Sequence, residues 1–85
     1  LELDARYSVL SACKPSQDGD GIVVRVLNPT DESDDVTLHL GREVRRARPV
    51  GLDEQPSDFL VTHNGRDVGF PVPPHALRSV QLTLV

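Results

Sequence analysis

The chain has 85 residues, enough for one small domain with a single thin core. Its net charge of −4 argues against a nucleic-acid partner, because phosphate binding needs clustered Lys and Arg. One cysteine excludes an internal disulfide, and no apolar run approaches the roughly 20 residues needed to span a bilayer.

The elements follow in chain order. Leu1-Glu2-Leu3 already alternates in polarity, and the chain contains no Met. Together these predict a piece of a longer protein. Tyr7, Val9 and Ser11 oppose Ser8, Leu10 and Ala12, a period of two that predicts a strand. Cys13 closes this apolar stretch, and its surroundings predict a buried, inert thiol. The stretch from Lys14 to Gly21 then reads as a hairpin loop, with Gly19 or Gly21 at positive φ. Ile22, Val24 and Val26 face one way and Val23, Arg25 and Leu27 the other. A strand apolar on both faces belongs in the middle of a sheet.

Asn28-Pro29-Thr30-Asp31 signals a turn. Val36, Leu38 and Leu40 alternate with Thr37 and His39 in the next strand. Val44 to Val50 is a charged strand with Ala47 as its core candidate; Arg42, Arg45, Arg46 and Arg48, interrupted by Glu43, belong to one solvated strand, with a phosphate or partner site as the alternative. Phe59 to Thr62 and Val68 to Val72 form a hairpin pair, with Asn64-Gly65 suited to a type I′ turn. Pro71, Pro73 and Pro74 cannot donate to a ladder, which makes 71–76 an edge or a crossover. Val80, Leu82 and Leu84 alternate in a closing strand. No stretch holds a period of 3.6. About seven short strands separated by regular turns predict an all-β, immunoglobulin-like antiparallel β-sandwich spanning residues 1–85, without the Cys and Trp pattern of true immunoglobulin domains.

The acidic, glycine-rich loop raises the question of calcium. With Gly21 at position 6 of an EF-hand loop, Ser16, Asp18 and Asp20 fall at positions 1, 3 and 5. Position 12 is then Leu27, inside a strand, where a bidentate Glu is required. A turn kept wet by Asp18 and Asp20 is the better reading. His39, His63 and His75 share no metal-ligand spacing. Asp53 and Glu54 could supply a general acid and base, but nothing arranges them around a pocket. No catalytic, metal or cofactor residue is therefore assigned. A stand-alone sugar-binding module would need flat aromatic platforms, and the chain has only Tyr7, Phe59 and Phe70, the last two in apolar strands.

Longer runs carry more. Ser11-Ala12-Cys13-Lys14, the loop Pro15 to Gly21, and Ile22-Val23-Val24-Arg25-Val26-Leu27-Asn28-Pro29 together resemble the C-terminal β-sandwich segment of family 38 glycoside hydrolases, the α-mannosidases. Val50-Gly51-Leu52-Asp53-Glu54-Gln55-Pro56 resembles that family's turn of the form L-x-E-x-P, and Pro74 to Leu84 its last strand. Cys13 stands where an aliphatic residue is expected, and His75-Ala76 where a Glu often follows the proline.

The resemblance implies an accessory sandwich of a zinc-dependent retaining α-mannosidase, working through two carboxyl groups about 5–5.5 Å apart. It places zinc, nucleophile and glycan substrate with the parent's catalytic region, none of whose motifs occurs here, and makes the partners the catalytic and central β domains of the same polypeptide. Arg25 is the candidate inter-domain contact, a charge on a central strand that is costly unless paired. Its alternatives are a local carboxylate, or a packed stem with its head in water. The functional alternative is a fibronectin- or immunoglobulin-like interaction module of another multidomain protein. Lack of disulfides points to the cytoplasm, and eight Arg against one Lys to a bacterial source.

Overall fold

A computed structural model describes residues 1–19, 21–55 and 57–85. Eight strands form two four-stranded antiparallel sheets. The first sheet has the order β1 (Glu2–Asp4), β4 (Asp34–His39), β7 (Asp67–Val72), β6 (Thr62–Asn64). The second has the order β2 (Val9–Pro15), β3 (Ile22–Leu27), β8 (Leu77–Leu84), β5 (Val44–Val50). Only β2–β3 and β6–β7 are hairpins within a sheet; the other connections cross between sheets. The all-β sandwich is as expected, with eight strands in place of about seven. The added strand is β1, whose alternation was visible but whose partner β4 lies more than 30 residues away.

Valine dominates the interior because β-branched side chains suit the pleated, half-buried surface of a strand. Val24, Val26, Val36, Val68, Val72 and Val80 pack with Leu38, Leu82 and Phe70 between the sheets. Ala47 lies partly buried at the rim of this cluster. Phe59 rests on Phe70 with ring centroids 6.0 Å apart. Arg78 stacks its guanidinium 4.3 Å from the centre of the Phe59 ring and closes that end of the sandwich.

Several local expectations change. Cys13 is exposed, not buried. It shares a row with Val24 and Val80, both fully buried, but β2 is the sheet edge and the row's end stands open. The Phe59–Thr62 strand shrinks to Thr62–Asn64, and Phe59 packs from a loop. The β6–β7 turn is centred on Gly65-Arg66, between the pair Asn64 and Asp67. Only Gly65 has positive φ (61°), the pattern of a II′ turn and not of I′. The expectation for 71–76 holds: Pro71 lies in an edge stretch of β7, opposite Asp35 of β4. It is tolerated because β6 stops at the Thr62–Gly69 pair, leaving β7 an edge at Pro71. Residues 73–76 form the crossover to β8.

Asp34 anchors the β1–β2 crossover. Its buried carboxylate accepts the backbone N–H groups of Arg6 (3.3 Å), Tyr7 (2.9 Å) and Ser8 (2.8 Å). Desolvation pushes its pKa up, but the hydrogen bonds from Tyr7, Ser8 and Arg6 outweigh it and hold the carboxyl below its ordinary value. On the outer face of the first sheet, His39 hydrogen-bonds Asp67 at 2.7 Å and lies 3.8 Å from Asp4, joining β4 to both neighbours. The hydrogen bond to Asp67 raises the His39 pKa against a smaller desolvation effect, and the negative charges of Asp67, Asp4 and Glu2 add to the rise.

Two predictions follow from these pairs. Asp34→Ala should cost about 2–3 kcal/mol in urea unfolding, because buried amides lose their acceptor. The carboxyl's pKa is depressed on folding, so its contribution is present above the unfolded value near 3.8 and is lost as pH falls through the folded one. The variant should lack that part of the acid slope. His39 has the opposite sign. Its stabilisation is full below the unfolded value of 6.5 and is lost as pH rises through the folded value. NMR titration of the ring should return a pKa above 6.5 in the protein and a lower one in Asp67→Asn.

Candidate functional site

Residues paired across antiparallel strands share a face, so the register fixes what the second sheet presents outward. One outer row is Lys14–Val23–Gln81–Arg48. The next is Ala12–Arg25–Ser79–Val50, and the third is Val9–Leu27–Leu77. Arg25 therefore lies near the centre of the face, on a strand with neighbours on both sides as expected. It is half-buried, and its Nε donates to Ser79 Oγ at 3.2 Å. Among the described residues its recorded side-chain partner is this hydroxyl.

Two loops fold over the upper part of this face. The β2–β3 loop is the acidic glycine stretch. Gly19 N–H donates to Ser16 O (3.1 Å) and Ser16 N–H to Gly21 O (3.0 Å). Gly19 and Gly21 both have positive φ, 76° and 106°. Gly21 runs so close to β8 that a Cβ there would lie 2.0 Å from Leu82 O. Asp18 is held by donors: Ser16 Oγ at 2.6 Å, Gln81 Nε2 at 3.2 Å and Arg48 Nη2 at 3.4 Å. These contacts fit a turn pinned to the sheet, and three donors around one carboxylate compete with any cation. Asp20, the other carboxylate weighed as a ligand, lies outside the described residues, as does Pro56.

The second loop is Gly51 to Gln55, closed by Gly51 N–H to Gln55 O at 2.8 Å and Glu54 N–H to Gly51 O at 3.0 Å. Glu54 takes a positive φ of 63°, a costly conformation for a residue with a Cβ. That conformation carries its carboxylate into the first loop. There it accepts Gln17 N–H at 2.8 Å and pairs with Lys14 Nζ at 3.4 Å. The carboxylate is nearly shielded from water, so this pair is worth more than an ordinary surface bridge. The Lys-loop and L-x-E-x-P pieces are about 37 residues apart in sequence and form one clasp. Periodicity could not have shown this, because both pieces are loops.

The clasp borders an open pocket of about 480 Å³ lined by Gln17, Asp18, Arg48, Asp53, Glu54 and Gln55. Asp53 Oδ1 accepts Gln55 N–H at 3.0 Å, and Glu54 is committed to Lys14 and Gln17. Neither carboxylate is set up as an acid/base pair. The histidines are dispersed: His39 is with Asp67, and His75 Nε2 is 2.5 Å from Asp31. Among the described residues no three His, Cys, Asp or Glu side chains come together to hold a metal ion. None of the described helices is long and apolar enough to cross a membrane, the described residues being without helix altogether. Phe59 packs against Phe70 at the core, and the Arg6 guanidinium lies 5.7 Å from the centre of the Tyr7 ring.

The clasp should be fragile to small changes. Gly21→Ala should lower the melting temperature strongly, since both its φ and the Leu82 carbonyl oppose a side chain. Glu54→Gln should cost less, about 1 kcal/mol, by weakening a charge-assisted bond while preserving shape. Thermal unfolding of the two variants side by side checks the order.

Comparison with curated proteins and with solved structures gave no match. Among protein families, the one described as the glycosyl hydrolases family 38 C-terminal beta sandwich domain matches residues 8–84. The match takes in both clasp loops and every strand except β1. The chain belongs to the C-terminal β-sandwich domains of family 38 glycoside hydrolases.

Proposed function

We propose that the chain is the non-catalytic C-terminal sandwich of a zinc-dependent retaining α-mannosidase, acting on glycans through the catalytic region of the same polypeptide. The family match over residues 8–84 carries this reading. The Glu54 clasp supports it, because it joins the two loop motifs by which the sequence resembles the family.

Among the described residues no three candidate ligand side chains come together for zinc. His39 and His75 are each taken by an aspartate, and no group of ligands converges among the described residues. Zinc and both reacting carboxyl groups belong, on this reading, to the catalytic region. The sandwich contributes a rigid surface against which that region is held. A bacterial, cytoplasmic enzyme fits the arginine-rich, disulfide-free composition.

The test is hydrolysis of an aryl α-mannoside by the full-length parent, with and without a zinc chelator, beside the same protein truncated before Leu1. Chelator-sensitive hydrolysis that falls on truncation is the expected result. Activity that survives truncation would make the sandwich dispensable for chemistry. A parent inactive on α-mannosides would overturn the reading, fold having been inherited without function, and would leave an interaction module as the better description.

A further inference from the structure

Asn64-Gly65 and Asp18-Gly19 share one chemistry: a side-chain carbonyl carbon next to a following backbone nitrogen that no side chain shields. The fold treats them differently. Gly19 N–H donates to Ser16 O at 3.1 Å, and the Asp18 carboxylate is held by Ser16, Gln81 and Arg48. Gly65 N–H has no acceptor among the described residues, and the Asn64 carboxamide has no hydrogen bond there either. A Cβ added at Gly65 would meet nothing within 4 Å, so the space around this turn is open. All three residues of β6 are exposed, and the strand is an edge with β7 as its one neighbour. Short exposed edges with few buried contacts open most readily.

We propose that Asn64 is a site of spontaneous covalent modification, converting to aspartate and isoaspartate through a cyclic imide with Gly65, and that the change loosens the β6–β7 turn. The Gly65 nitrogen gives its proton to solvent base and attacks Asn64 Cγ. The Cγ–Nδ2 bond breaks, and Nδ2 leaves as ammonia with a proton from solvent. The ring then holds the Gly65 nitrogen between the side-chain and backbone carbonyl carbons of residue 64. Water adds to one of them. Opening at Cγ gives aspartate. Opening at the backbone carbonyl gives isoaspartate, with the chain routed through Cβ and Cγ. Water is consumed and ammonia released in equal amounts, with no change of oxidation state. The other asparagine of the chain cannot follow this path. Asn28 precedes Pro29, which has no N–H to lose, and its carboxamide is buried and fully bonded.

The turn clips the two sheets together, which gives the modification its consequence. Gly65 O accepts Val44 N–H at 2.8 Å, at the start of β5, and Arg66 O accepts Leu40 N–H at 2.8 Å. Val44 and Leu40 are both buried, so their amides have no water to turn to. Isoaspartate adds a backbone carbon just before these acceptors and breaks the Asn64–Asp67 register. Aspartate puts a carboxylate opposite Asp67, a like-charge pair that destabilises the hairpin.

The experiment is incubation of the full-length parent at mildly alkaline pH, followed by peptide mass spectrometry that separates asparagine, aspartate and isoaspartate. A synthetic peptide of residues 61–69 is incubated beside it. Asn64 in the parent should convert within about tenfold of the free peptide's rate, as a segment at the low-stability end of the fold permits. Isoaspartate should be among the products, and Asn28 should stay intact. Hydrogen exchange across residues 40–44 should then be faster in the incubated protein than in the fresh one. Asn64→Gln, incubated alike, should keep the exchange of the fresh protein. Slower conversion in the parent while the peptide converts overturns the site. Conversion with unchanged exchange at 40–44, or equal loss of protection in Asn64→Gln, overturns the loosening of the turn.

Discussion

The sandwich depends on one buried carboxamide. Asn28, fully inaccessible at the end of β3, donates from Nδ2 to Glu32 O at 2.6 Å and to Val72 O at 3.1 Å. Its Oδ1 accepts the Thr30 N–H at 3.0 Å and the Thr30 hydroxyl at 2.8 Å. Its backbone N–H reaches Ala76 O at 3.0 Å. Both amide donors and both carbonyl lone pairs are used, a complete satisfaction that buried polar groups require. Through its side chain Asn28 holds the end of β7 in the first sheet and the β3–β4 turn, and through its backbone N–H the crossover into β8. A domain this small has too thin a core to orient two sheets by apolar contact alone.

The other crossovers obey the same logic with different chemistry. Asp34 collects the amides entering β2, and the Phe59–Phe70 contact gathers the stretch between β5 and β6. Polar anchoring sits where the chain changes sheets, because a crossing segment leaves its ladder and its amides need other partners. Valine and leucine fill the space between, where β3, β4, β7 and β8 face one another. The outer side of the second sheet carries the paired Lys14 and Arg48 in one row and Val9, Leu27 and Leu77 in another.

The clasp adds a constraint of its own. Glu54 accepts an unfavourable backbone conformation to bring a shielded carboxylate to Lys14 and Gln17, while Gly21 uses glycine's freedom at positive φ to pass close to Leu82. The clasp therefore fixes the shape of the face beside Arg25.

Sequence alone determined what is local. Alternation is a property of the single strand, so β3, β4, β5, β7 and β8 were legible from their apolar spacing, and Gly19 and Gly21 from their acidic loop. The short family motifs were legible because they are contiguous. Only the tertiary structure decided what depends on neighbours far along the chain. Cys13 is exposed because β2 is an edge, and Pro71 is allowed because β6 ends early. Asp34 is bound by amides 26–28 residues away. Arg25 was picked out as an awkward charge, but its hydroxyl partner 54 residues away was not. A period of two says which side chains share a face. It does not say which strands lie beside it or what covers that face, because those are set by sheet order and register.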